Sequence, residues 1–174
     1  MTRVVDRDRK PLAGVVLCFA LWLSSLPVHA QTTSSRSMAA EALFDRALKL
    51  VKDGKYAEAV PFLEQSLALD AGVGTRLYLA ECYERLGRIS SAWAMFREAA
   101  STAAAQGQTD RARIGTDRAA RLESQIPLLT LQVAAGNNMP GFVVSLNGVA
   151  LPETAWGIAM PVDPGTNQID ARAP

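Results

Sequence analysis

The chain has 174 residues, with 18 Lys and Arg against 17 Asp and Glu, one His and two Cys. A net charge of +1 gives no basic footprint for nucleic acid. The single histidine, His29, lies in a segment expected to be removed, which excludes a Ser/His/Asp triad and the commonest neutral-pH general base and metal ligand.

That segment is the N-terminus. Arg3, Arg7, Arg9 and Lys10 form a basic region, and Leu12 to Leu26 is an apolar run interrupted only by Ser24 and Ser25. Val28-His29-Ala30 sets small residues at the −3 and −1 positions of a cleavage site. The pattern predicts a secretory signal peptide over residues 1–30, cleaved after Ala30. An uncleaved anchor is the alternative, although the run is short for a span of about 20 residues. Leu17 before Cys18 argues against a lipid-modified cysteine. Export across the inner membrane to the periplasm or cell envelope follows. Removal of residues 1–30 leaves 144 residues with 14 basic and 15 acidic side chains, a net charge of −1. One cysteine, Cys82, remains. It has no intramolecular partner, so stability must come from packing.

Residues 31–37 are polar and are expected to be a disordered lead-in, with Ser37 as the N-cap of the first helix. A helical region is expected over residues 38–126. Its first helix carries Ala40, Leu43, Ala47, Leu50 and Val51 at helical spacing and ends at Gly54. The second carries Ala59, Leu63 and Leu67, with Pro61 near its start, and ends before Gly72. Leu77, Leu79, Ala80, Tyr83 and Leu86 mark the third, which stops at Gly87. The fourth starts near Ser90, presents Ala92, Phe96 and Ala99 on one face, and breaks at Gly107. A fifth is expected from a Thr109 N-cap. Ala112, Gly115, Ala119, Leu122 and Ile126 form a single apolar stripe among arginines, as a terminal capping helix needs.

At Pro127 the periodicity changes. Leu129, Leu131 and Val133 alternate, Phe142 to Leu146 is rich in β-branched and aromatic residues, and Asn147-Gly148 is a strong hairpin signal. Ile158 to Val162 is a further short run, Asp163-Pro164-Gly165 is a turn, and Ile169 and Ala171 continue as a strand. Residues 127–174 therefore read as a small all-β unit of about four strands, and the chain as α+β.

Gly54-Lys55-Tyr56-Ala57-Glu58-Ala59 returns as Gly87-Arg88-Ile89-Ser90-Ser91-Ala92, 33 residues later. A period of about 34 is that of stacked helix-turn-helix repeats. The second unit, with Leu79, Ala80, Tyr83, Gly87, Ala92, Phe96 and Ala99, resembles a tetratricopeptide repeat. The first, with Leu43, Ala47, Gly54, Tyr56 and Ala59, is similar at fewer positions: Leu50, Leu63, Ser66 and Ala71 replace the usual Tyr, aromatic, Ala and Pro. The β segment looks like a PEGA-type domain through Val144-Ser145-Leu146-Asn147-Gly148 and Pro161-Val162-Asp163-Pro164-Gly165, followed by Ile169, although Met139-Pro140-Gly141-Phe142 stands where the name-giving tetrapeptide would be. The whole arrangement is similar to a secreted-protein family abundant in myxobacteria. The repeat architecture, the expected signal peptide and the absence of histidine after residue 30 lead to the expectation of a non-enzymatic protein-binding scaffold of the envelope.

The inner face of the two leading helices is expected to be the partner-binding groove, lined by Phe44, Leu48, Val51, Lys52, Leu77, Glu81, Glu84 and Arg85, with Glu41 at its end. Phe44, Leu48 and Tyr78 argue against a carboxylate clamp of the Lys and Asn kind. An apolar floor with a charged rim suits a helix or extended segment of a protein partner. Neither a cofactor nor a metal is implied. Cys82 reads as a small buried hydrophobe, and Gly72-Val73-Gly74-Thr75 as an inter-repeat turn rather than a phosphate loop. Glu81, Glu84, Asp53 and Glu58 read as solvated helix surface. A cell-wall or glycan-associated role through the β unit, with Trp156 stacking on a sugar, is the alternative function. The terminal strand near Gln168 is expected to leave a sheet edge unpaired, so the chain is read as a piece of a longer protein or as one that recruits a partner or a second copy there.

Overall fold

The computed structural model describes residues 29–134 and 139–173. The expected signal segment falls outside these residues except for His29 and Ala30. Five helices come first: α1 (His29–Lys52), α2 (Tyr56–Leu69), α3 (Val73–Arg85), α4 (Ile89–Ala105) and α5 (Thr109–Glu123). Five short strands follow: β1 (Leu128–Thr130), β2 (Val143–Leu146), β3 (Val149–Leu151), β4 (Ala159–Pro161) and β5 (Ile169–Arg172). Five helices in a tetratricopeptide-like array followed by small antiparallel sheets make the fold α+β, as the sequence predicts.

Three of the four helix turns share one device. Gly54, Gly87 and Gly107 have φ of 73°, 74° and 70°. The residue after each glycine donates five positions back, Lys55 to Leu50, Arg88 to Tyr83 and Gln108 to Ala103, at 2.8–2.9 Å. Each glycine itself donates three positions back, to Val51, Glu84 and Ala104. These are Schellman closures, and the left-handed residue they require is the one glycine supplies without strain.

The core between the helices is built from small residues around a few large ones. Ala47, Ala59, Leu63, Ala80, Cys82 and Ala92 have no exposed surface, and Phe96 and Leu79 have 2% and 1%. Alanine at these positions lets neighbouring helices approach closely, and Phe96 fills the space between α4 and the rest. Ser66, which stands where an alanine is usual, is buried and donates to the Ala40 carbonyl at 2.8 Å. Gly115 of α5 faces α4 so closely that a Cβ there would lie 2.8 Å from the Phe96 carbonyl oxygen and 3.0 Å from the Ala100 Cβ.

Several local expectations are corrected. Residues 31–37 belong to α1, so they are not an unstructured lead-in and Ser37 is not a cap. No Gly or Pro lies between Val28 and Asp53. A helix nucleated on the packed stretch from Ala40 onward therefore propagates backward at little cost per residue, although Ser34 to Ala39 are exposed. Pro61 lies inside α2, past the first internal bond from Ala59 to Lys55, and not in the first turn. Gln108, not Thr109, is the N-cap of α5.

In the β unit, β1 pairs antiparallel with β4 and the other strands form the sheet β3-β2-β5. Strand β3, the return arm of the Asn147-Gly148 hairpin, raises the expected four strands to five. Asn147 and Gly148 have φ of 51° and 81°, the two positive values of a type I′ turn. The pairing of β1 with β4 is extended at its ends by Val162 N–H to the Pro127 carbonyl and Gly157 N–H to the Leu131 carbonyl.

Candidate partner-binding face

The eight groove residues named from sequence do not form one open set. Phe44, Val51 and Leu77 are half-buried and pack against the helical core. Leu48 is half-buried, and Lys52 and Arg85 are exposed. Phe44 meets Tyr78 edge to face, with ring centroids 5.6 Å apart. Tyr78 was absent from the expected lining, yet it is one of the few large exposed hydrophobic side chains of the array. The sequence signal for it is its place at the repeat position that a carboxylate clamp fills with Asn.

Two acidic residues of this face, Glu81 and Glu84, are held within the array, while Glu41 is exposed. Glu81 pairs with Arg85 at 4.0 Å, and Arg85 also lies over the Tyr56 ring at 5.8 Å. Glu84 binds Arg118 of α5 at 2.6 Å, and the same guanidinium sits 5.1 Å from the Phe96 ring centroid. Glu84 is thus a strut between α3 and α5 rather than the solvated surface charge expected. The face is an apolar strip flanked by these two ion pairs, with Glu41 and Lys52 exposed beside it.

A second cluster, unforeseen in the sequence, joins the helices to the β unit. The Glu64 carboxylate accepts from the Tyr83 hydroxyl at 2.6 Å, and the Arg88 guanidinium lies over the Tyr83 ring at 4.1 Å. Burial, then the Glu64 hydrogen bond, push the Tyr83 phenol well above its ordinary range. Arg88 reaches Asp163 of the Asp163-Pro164-Gly165 turn at 3.3 Å. Asp163 Oδ1 accepts the Ser91 N–H at 2.8 Å, and Oδ2 accepts the Ser91 hydroxyl at 2.5 Å. The Ser90 hydroxyl donates to the Val162 carbonyl at 2.6 Å. Burial alone would raise the Asp163 carboxyl, but the Ser91 and Arg88 hydrogen bonds and the Arg88 charge outweigh it and hold it below the usual carboxylate range. Aspartate and serine are common at turns and helix starts, so no spacing in the chain announces that these two meet.

Cys82 has no exposed surface, and burial, with Glu81 nearby, raises its thiol to about 11. It stays protonated at neutral pH and serves packing, as its helical context suggests. Trp156 is half-buried, with its ring edge-on to Phe142 at 6.1 Å. It is therefore part of the packing of the β unit rather than a free stacking platform. No helix among the described residues is long and apolar enough to cross a membrane.

Stacked antiparallel helix pairs with a lined inner strip define a helical-repeat binding module. Residues 50–108 match the family model described as Tetratricopeptide repeat. Together with the helical array, the match supports reading this part of the chain as a tetratricopeptide repeat protein, a class that generally binds other proteins and is typically non-enzymatic. Neither the curated proteins nor the solved structures compared with the chain give a match.

Proposed function

We propose that this chain is a non-enzymatic adaptor of the cell envelope whose helical repeats hold an apolar-faced segment of a protein partner, while a PEGA-like β unit positions the array. The observation that carries the reading is the Phe44–Tyr78 aromatic pair on the strip beside Leu48 and Leu77, with its acidic neighbours Glu81 and Glu84 already neutralised by Arg85 and Arg118. An aromatic and aliphatic strip, with Glu81 and Glu84 paired inside the array and Glu41 and Lys52 as exposed charges at its rim, favours the apolar side of an amphipathic helix over a strongly charged tail. The envelope placement rests on the basic region, apolar run and Val28-His29-Ala30 site of the N-terminus.

Photo-crosslinking in the native envelope tests this. A probe at Leu48 or Tyr78 should capture a protein that a probe at Glu58 does not. Tyr78→Glu should abolish that capture and leave the helical circular-dichroism signal unchanged. Equal capture from both positions, or capture indifferent to Tyr78→Glu, would remove the strip from the account.

A further inference from the structure

The outer edge of β5 is an open pairing surface with self-complementary chemistry. The register with β2 sets Asp170 opposite Ser145 and Arg172 opposite Val143. In the same register the Asn147 N–H donates to the Gln168 carbonyl at 2.8 Å, which fixes the phase of the ladder. Hydrogen-bonded positions alternate along an antiparallel pair. Gln168, Asp170 and Arg172 therefore bond inward to β2, while Ile169 and Ala171 turn their N–H and C=O groups outward. Among the described residues no strand pairs with that edge.

We propose that β5 pairs antiparallel with β5 of a second copy of this chain, about a two-fold axis at Ala171. The phase chooses the centre. A hydrogen-bonded pair across the axis needs an outward-facing residue, and Ala171 is the one with a charged residue of opposite sign on either side. With Ala171 facing itself, Asp170 stands opposite the second copy's Arg172, and Arg172 opposite its Asp170. Both pairs fall at non-hydrogen-bonded positions, where facing side chains come closest. An axis at Ile169 would set Asp170 against Gln168 and lose both ion pairs. Arg172 is exposed and has no ion pair among the described residues. Among the described residues Asp170 accepts only from the neutral Gln168 side chain, at 3.1 and 3.3 Å.

The apolar face agrees. Ile169 and Ala171 share a sheet face with Leu146 and Val149, and Val149 and Ile169 are 67% and 47% exposed. Pairing at Ala171 would continue that face across six strands in an isologous contact. The opposite edge is less suited: by the same alternation β3 turns only Ala150 outward, and Pro152 follows it directly.

A short ladder associates weakly, so the readout is concentration dependence. Sedimentation velocity of the purified protein should show a monomer–dimer shift. Arg172→Asp, which sets like charges opposite each other twice, should weaken it by about tenfold or more. The double variant Asp170→Arg/Arg172→Asp should restore it, because the same two ion pairs form with their partners exchanged. Independently, Ala171→Cys should cross-link under an added thiol oxidant, since a hydrogen-bonded pair places its Cα atoms about 5.5 Å apart, within disulfide reach. Ala150→Cys on the opposite edge should not. A protein that stays monomeric at every concentration, a double variant that fails to restore association, or equal cross-linking at Ala150 would each overturn the proposal.

Discussion

Asp163 caps the first turn of α4 from 72 residues away, its carboxylate accepting both the N–H and the hydroxyl of Ser91. Helix α4 has no side-chain cap of its own, because Arg88 stands at the N-cap position. A helix start leaves N–H groups unsatisfied and carries partial positive charge, and a carboxylate answers both. The bond that completes α4 is therefore also one that fastens the β unit to the helices.

Asp163→Asn should cost about 1–2 kcal/mol of stability, the range of a lost N-cap with a charge-assisted bond. Chemical denaturation measures it. Hydrogen exchange should locate it, with the Ser91 amide losing protection while the amides of α5 keep theirs.

The same contact fixes a pH dependence. The folded Asp163 carboxyl lies below its ordinary range, whereas the unfolded value is about 3.9. Its contribution is thus fully present above the unfolded value and is lost as pH falls through the lower folded value. Denaturation midpoints of wild type and Asp163→Asn should differ at pH 7 and converge in strong acid. A gap that persists unchanged to the lowest pH would show that the carboxylate charge is not what stabilises the contact.

Two glycines should respond in opposite directions to alanine. At Gly115 the added Cβ would lie 2.8 Å from a backbone oxygen, so overpacking outweighs the gain of about 1 kcal/mol in helix propensity. Net destabilisation of about 1–2 kcal/mol is expected. At Gly74 in the first turn of α3 nothing lies within 4 Å, and Gly74→Ala should stabilise by up to about 1 kcal/mol. Thermal unfolding of the two variants should bracket wild type.

Cys82 should react with thiol reagents only on unfolding. Its lack of exposed surface and raised thiol leave almost no accessible thiolate at neutral pH. Mass spectrometry of the peptide bearing Cys82 should show labelling that rises with denaturant in step with loss of helical signal. Rapid labelling under native conditions would contradict the packing described.

The helices and turns were legible because their causes are local. Gly54, Gly87 and Gly107 end helices through the left-handed conformation whatever surrounds them, and Asn147-Gly148 makes its hairpin for the same kind of reason. The apolar periodicity of Ala47, Leu63, Leu79 and Phe96 likewise names the core before any neighbour is known. The start of α1 is not legible in the sequence, because a polar composition reads as disorder, whereas propagation from a packed nucleus needs only the absence of a breaker. Tertiary structure alone decided which charges are spent within the array and which side chains face outward. Glu84 looks like surface until Arg118 arrives from α5, Tyr78 is read through its contact with Phe44, and Trp156 finds Phe142 across a loop. Asp163 and Ser91 belong to this class most clearly. A turn residue and a helix-start residue each have a sufficient local explanation, and only the docking of the β unit on α4 makes one the cap of the other.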